Sequence, residues 1–206
     1  MIRKRDLGRT VLLCLAGGSA DAISFLEYET FVGAMTGNTV LLGLDLAQGR
    51  FDRAGFHFGV IAAFFLAVVL TQAALKRGIP PSVPLVLTAL LLAGSDFVAG
   101  AWSAVISAIA LGLQSAAVRQ IAGVSVTTVF VTGNLVRLGT AVPHAHEEGR
   151  QTTLAVLATA WLTYAIGAVI GATALRLIGY PMLVPAIFAL AAAMVEIPAP
   201  EPGERA

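Results

Sequence analysis

The run Thr-Gly-Asn occurs twice in the chain, each time inside an apolar stretch. Glycine permits a break in a helix, and hydroxyl and amide side chains can bind the backbone groups that the break frees. Non-helical backbone at membrane depth persists only where it is buried in protein or lines a polar cavity. We therefore predict a binding site between the two segments, lined by Thr36, Gly37, Asn38, Thr132, Gly133 and Asn134. The alternative is a helix-packing patch, with asparagines bonding across helices.

Three ionisable residues accompany these runs. Asp21 follows Arg9 by twelve residues, about 18 Å along a helix, which predicts a carboxylate inside the hydrocarbon layer. Such a group costs several kcal/mol unless it is paired, hydrated or protonated, so it is a functional hypothesis by default. Arg137 is the other deep charge and is predicted to pair with Asp21, either for coupling or as a structural ion pair. Asp96, near the end of a later apolar stretch, is predicted to carry a proton.

The composition explains why these residues must be positioned by membrane helices. Of 206 residues, 57% are hydrophobic and 12% charged, and the mean hydropathy is +0.85. A soluble domain has roughly a quarter of its residues charged, so the surface is predicted to face a lipid bilayer.

A net charge of +1 without a basic stripe argues against a nucleic-acid partner. The chain contains no phosphate-binding loop, dinucleotide fingerprint, zinc-protease motif or nucleophile elbow. We predict no enzyme, no cofactor and no metal site.

Hydropathy divides the chain into elements of two kinds. Two apolar pieces, 31–47 and 124–142, are rich in Gly, Thr and Asn and contain the Thr-Gly-Asn runs. Stretches of about twenty residues can cross a hydrocarbon core roughly 30 Å thick, and six stretches of 15 to 24 residues are the predicted crossings, at residues 10–26, 54–75, 82–101, 103–118, 152–175 and 181–195. The prediction is an all-α membrane protein with six transmembrane helices plus two short broken or re-entrant Thr-Gly-Asn helices. Eight crossings are the alternative, which the distribution of positive charges disfavours narrowly.

The two Thr-Gly-Asn pieces are also copies of each other. Residues 35–43 align without a gap on residues 131–139, and shorter matches precede and follow them. This predicts a tandem duplication, in which residues 10–101 form the first membrane repeat and 102–197 the second. Residues 1–9 are then a cytoplasmic amino terminus and 198–206 a disordered tail. If each Thr-Gly-Asn piece dips in and returns, each repeat crosses three times and the copies are inverted, as in many transporters.

The segments 17–25, 31–32 and 35–39 resemble the opening of the YoaK-like bacterial integral membrane proteins, and residues 131–139 resemble the second signature of that family. The resemblance covers nearly the whole chain. It implies a multi-pass protein of the bacterial inner (cytoplasmic) membrane, in a family built on a domain of unknown function. It implies neither a substrate nor catalytic residues.

Together these observations predict a small secondary transporter or permease for a small solute or ion. The alternative, from a different class, is a non-transporting membrane scaffold, assembly or lipid-binding protein. The predicted partners are the lipid bilayer and an unknown small solute or ion, and the small size of the chain leaves a homodimer open.

Overall fold

A computed structural model describes residues 4–117, 120–121, 124–125, 131–144 and 150–195, and this part of the chain is almost entirely helical. Two-residue strands, β1 (Gln120–Ile121) and β2 (Val124–Ser125), pair antiparallel, and a 3-10 turn covers Val142–His144. The helices are α1 (Lys4–Tyr28), α2 (Met35–Ala47), α3 (Phe51–Lys76), α4 (Ser82–Ser95), α5 (Ala101–Ala117), α6 (Val131–Ala141), α7 (Arg150–Leu177) and α8 (Leu183–Met194).

Each predicted apolar stretch contains a helix: the six predicted crossings correspond to α1, α3, α4, α5, α7 and α8, and the two Thr-Gly-Asn pieces to the short helices α2 and α6. Three segments are long and apolar enough to cross a membrane, namely Leu7–Tyr28, Phe51–Lys76 and Arg150–Leu177. Helices α4, α5 and α8 are apolar but shorter. The all-helical membrane fold is thus confirmed, whereas the number of crossings stays a prediction. The predicted tail at 198–206 lies outside the described residues.

The outer faces of the long helices are apolar. Phe58, Phe65 and Leu70 of α3 and Val169 of α7 all expose more than half of their surface. A soluble monomer rarely exposes so continuous an apolar face, because water disfavours it. These side chains are suited to contact with lipid chains.

Contacts between helices establish their directions. Helix α1 runs parallel to α7, since Leu15 lies against Gly167 and Ser19 against Gly171. It runs antiparallel to α5, since Leu13 bonds to Gln114 near the carboxyl end of α5, while Tyr28 at the end of α1 bonds to Ser103 near the amino end of α5.

Helix α3 runs parallel to α5, as Phe64 lies against Gly112 and Gln72 bonds to Ala116. Helix α3 is therefore antiparallel to α1, so it begins at the end of the molecule where α1 stops. The short helix α2 lies between those two points of the chain.

Small residues let α1 and α7 approach until their backbones touch. A Cβ atom on Gly167 would lie 2.5 Å from the Leu15 carbonyl oxygen. A Cβ on Gly171 would collide with the Ser19 carbonyl oxygen, and one on Gly18 with that of Tyr164. Close approach through small residues replaces the hydrophobic driving force that helices lack in lipid.

Gly167→Leu should therefore destabilise the protein by about 1–3 kcal/mol, the usual cost of overpacking. The free energy of unfolding can be measured by denaturant titration in detergent, followed by circular dichroism. Gly55→Leu on α3 is the matched control, because Gly55 is exposed and a Cβ there meets no described atom within 4 Å. Equal losses in the two variants would contradict this packing.

Candidate functional site

The carboxylate of Asp21 binds the backbone that leads into α2. Its Oδ1 accepts hydrogen bonds from the N–H groups of Val32 at 2.8 Å, Gly33 at 2.6 Å and Ala34 at 3.4 Å. Its Oδ2 accepts a bond from the Ala34 N–H at 3.1 Å and one from the Tyr164 hydroxyl. The side chain is 3% exposed. Asp21 thus supplies the negative charge that the amino-terminal end of a helix favours.

The predicted ion pair between Asp21 and Arg137 is wrong. The hydrogen-bonding capacity of Asp21 is used by backbone N–H groups and by Tyr164 of α7, whereas Arg137 lies exposed on α6. Depth alone suggested that pair. A carboxylate at depth can be satisfied without a cation when a helix start delivers several N–H groups to it.

Asn38, in the first turn of α2, shapes the preceding loop. Its Nδ2 donates to the Phe31 carbonyl oxygen at 2.6 Å, and its Oδ1 accepts from the Phe31 N–H at 2.8 Å. The hydroxyl of Thr30 donates to the same Oδ1 at 3.1 Å. Both ends of this fully buried amide therefore bind the protein itself.

Neither glycine of the runs breaks a helix, contrary to the prediction. Gly37 lies inside α2 and Gly133 inside α6. Gly37 instead provides space, because a Cβ there would approach the Phe31 ring at 2.7 Å. Thr36 is exposed to the surroundings.

The second run is arranged differently from the first. Asn134 is buried, while Thr132 and Gly133 are exposed on α6. Helix α2 packs on α3 and helix α6 on α7, and in the described part of the chain α2 and α6 share no extensive contact. The structure thus does not assemble the two runs into one site, because each short helix packs on the long helix that follows it.

A buried polar network connects α2, α3 and the loop between α1 and α2. His57 of α3 is 1% exposed. Its Nδ1 lies 3.1 Å from the Thr30 hydroxyl oxygen, and its Nε2 lies 3.2 Å from Asp45 Oδ2. Arg50 donates to Asp45 Oδ1 from Nε at 2.8 Å. With Asn38 bonded to Thr30, these contacts run without interruption from Asn38 to Arg50, and we call these five residues the polar network.

Three residues of the polar network, Asp45, Arg50 and His57, line an open cleft with a volume of about 520 Å³, within the roughly 300–1,000 Å³ of small-molecule sites. Arg53 pairs with Glu29 at 2.6 Å beside it. The lining combines apolar and ionisable side chains, namely Phe25, Leu26, Glu29, Leu41, Leu44, Asp45, Arg50, Arg53 and His57. Among the described residues, no group of three His, Cys, Asp or Glu side chains is arranged to hold a metal ion.

Asp96 has a partner in the second half of the chain. It ends α4, and its Oδ1 accepts the N–H of Met182 at 3.2 Å, directly before α8. The carboxylate therefore caps α8. Its predicted use as a proton carrier stays a prediction.

Asp21→Ala should destabilise the protein more than Tyr164→Phe does. The alanine leaves the N–H groups of Val32, Gly33 and Ala34 without their acceptor, and each unsatisfied buried donor costs about 1–3 kcal/mol. The phenylalanine removes a single bond to the carboxylate, and amide exchange at residues 32–34 should accelerate in the alanine variant only. Equal exchange rates and equal unfolding free energies would contradict the anchoring of α2 by Asp21.

Comparisons with known proteins confirm a membrane protein of an uncharacterised family, whereas the narrower YoaK-like resemblance stays a prediction. The chain is 29% identical over 222 residues to the UPF0700 transmembrane protein RA0705 of Rhizobium meliloti (strain 1021), covering 95% of this chain and 90% of that protein. No solved structure matches. The family described as "Protein of unknown function (DUF1275)" matches residues 10–195, and the chain therefore belongs to the DUF1275 family.

Proposed function

We propose that this protein is a small secondary transporter or permease of the bacterial inner membrane, with its solute or ion site in the cleft beside the polar network. The observation that carries the proposal is a set of buried ionisable groups, Asp45 and His57, continuous with an open cleft in a membrane protein. Ionisable residues that face the interior of a helix bundle typically mark substrate or ion pathways.

The proposed architecture has six crossings, two re-entrant short helices and two inverted repeats, residues 10–101 and 102–197. The antiparallel arrangement of α1 and α5 supports inversion, because equivalent helices of parallel repeats would run in the same direction. The helix pairings support it as well. Helices α1–α4 of the first repeat correspond to α5–α8 of the second. The contact between α1 and α7 then has its equivalent in the contact between α5 and α3, and the contact between α2 and α3 has its equivalent in that between α6 and α7.

Re-entry of α2 is supported by the hydrogen bonds of Asp21. This residue lies two helical turns before the end of α1, yet it binds Val32, Gly33 and Ala34. The chain must therefore turn back beside α1 before α2 begins. Half-helices that end at depth are typical of transporter binding sites.

The proposed site belongs to the first repeat alone. At the offset of 96 that aligns the Thr-Gly-Asn runs, Asp21 corresponds to Ala117 and Asp45 to Ala141. The second repeat thus lacks both carboxylates. Since Asp21 already occupies the amino-terminal end of α2, a solute would bind in the cleft, where Arg50, Arg53, Glu29 and Asp45 offer both signs of charge.

A second candidate, a non-transporting scaffold or lipid-binding protein, is favoured by one observation. The amide of Asn38 and both oxygens of Asp21 are fully engaged with the chain itself, as a purely structural function would require. This candidate predicts that substitutions in the polar network change stability alone.

Asp45→Asn should abolish transport while the protein still folds, because the carboxylate that holds Arg50 and His57 in place becomes neutral. The purified protein is first screened for thermal stabilisation by phosphate, chloride, sodium, potassium, glutamate and lysine. A ligand at about 100 times its Kd stabilises the folded state by about 2.7 kcal/mol. Uptake of the stabilising solute is then measured in proteoliposomes.

Gly43→Ala is the matched control on the same helix, since Gly43 is exposed and a Cβ there meets no described atom within 4 Å. Undiminished uptake by Asp45→Asn would reject the cleft as the site. If proteoliposomes take up each solute no faster than protein-free vesicles do, the scaffold candidate is favoured.

A further inference from the structure

The protonation of His57 follows from the direction of the hydrogen bonds around it, beginning at Asn38. The Phe31 carbonyl oxygen can only accept, so the atom 2.6 Å from it must be the amide nitrogen of Asn38. The Phe31 N–H can only donate, so the atom 2.8 Å from it must be the amide oxygen. The backbone of one residue thus fixes the orientation of the Asn38 side chain.

Thr30 is the next link. Its hydroxyl lies 3.1 Å from Asn38 Oδ1, which has no hydrogen to give, so the hydroxyl is the donor in the hydrogen bond between them. A hydroxyl group has one proton, and its remaining capacity consists of lone pairs. The oxygen of Thr30 therefore presents an acceptor to His57 Nδ1, 3.1 Å away.

The other ring nitrogen of His57 also faces an acceptor. Nε2 lies 3.2 Å from Oδ2 of Asp45, a carboxylate that Arg50 binds through its other oxygen. A neutral imidazole has one N–H group and the imidazolium has two. Only the imidazolium satisfies both contacts while Thr30 keeps its bond to Asn38.

We propose that His57 is the proton-binding residue of this protein, held as an imidazolium whose two N–H groups tie α3 to Asp45 of α2 and to Thr30 of the loop before α2. In the transport cycle this proton is the coupling ion. That use rests on the proposed function, whereas the charge on the ring rests on the Thr30 hydroxyl donating to Asn38 rather than to His57.

The charged groups around His57 make this proton removable. Asp45 of α2 and Glu29 after α1 are negative, and Arg50 and Arg53 are positive. Helix α5, which also packs on α3, has no ionisable side chain. The four charges cancel, so a protonated ring leaves the cluster at +1 and a neutral ring leaves it at zero.

Loss of the Nδ1 proton changes the network in a defined way. Nδ1 becomes an acceptor, so the hydroxyl of Thr30 rotates to donate to it. Asn38 Oδ1 then loses the Thr30 bond and keeps only that from Phe31. The loop before α2 is then held to α2 by one hydrogen bond fewer, so the protonation of His57 affects how firmly α2 is held.

The test is nitrogen-15 NMR of histidine-labelled protein in lipid nanodiscs at neutral pH. His144 and His146 are the other two histidines of the chain, so the variant His144→Asn/His146→Asn, purified without a histidine tag, reports on His57 alone. We expect two closely spaced ring-nitrogen signals, as an imidazolium gives. Asp45→Asn should convert them into the widely separated pair of a neutral ring, while Gly43→Ala should leave them unchanged.

Signals of a neutral His57 ring in the protein with Asp45 intact would overturn the proposal. Ring-nitrogen signals that stay at the same position in Asp45→Asn would overturn it as well. The coupling use has its own readout, uptake driven by a pH gradient in proteoliposomes, which His57→Gln should reduce to the level of protein-free vesicles. If the His57 ring is charged but the protein transports none of the solutes, both the proposed transport function and proton coupling are rejected. The assignment of His57 as a proton-binding residue is then retained. Undiminished pH-driven uptake by His57→Gln would overturn the coupling use alone.

Discussion

The fold depends on one interaction, the binding of three consecutive backbone N–H groups by the carboxylate of Asp21. A chain that turns back into a helix bundle within a membrane brings N–H groups to a place where water cannot bind them. Each such donor costs about 1–3 kcal/mol when it is unsatisfied and buried. Asp21 binds all three, and in return they satisfy a buried carboxylate that would otherwise have only Tyr164 as a partner.

This anchor determines where the rest of the site lies. It sets the start of α2, which brings Asn38 against the loop and Asp45 against His57 of α3. Tyr164 reaches Asp21 only because glycines at the contact between α1 and α7 let the two backbones touch. A displacement of α1 or α7 would therefore reach the cleft through Asp21. Buried polar networks of this kind specify one arrangement when every member is satisfied and are costly when one is not.

The sequence predicts the helices well and their mutual contacts poorly, for a physical reason. Hydropathy is a local property, so the six apolar stretches and the two short Thr-Gly-Asn pieces could be placed from composition. Asp21 could be placed at depth by counting from Arg9. Three of its partners could not be predicted, because they are backbone N–H groups, which every residue except proline has. The mistaken pairing with Arg137 came from considering side chains alone.

The same reason accounts for the polar network. Thr30, Asp45 and His57 belong to no common motif, and only the antiparallel return of α3 along α2 brings them together. The similarity of the two halves suggested a symmetric site made by both Thr-Gly-Asn runs, whereas the structure does not bring the two runs together. The counterparts of Asp21 and Asp45 at the offset of 96 are alanines. A carboxylate site at Asp21 and Asp45 is therefore absent from the corresponding positions of the second half.

The most direct test of the proposed re-entry of α2 is the side of the membrane on which its two ends emerge. Cys14 is the only cysteine and is buried, so a Cys14→Ala background permits single cysteines at Glu27, Gln48 and Arg77, which are all exposed. Labelling with a membrane-impermeant maleimide in sealed vesicles of known orientation should modify Glu27→Cys and Gln48→Cys from one side and Arg77→Cys from the other. Labelling of Glu27→Cys and Gln48→Cys from opposite sides would show that α2 crosses the bilayer and would contradict this account.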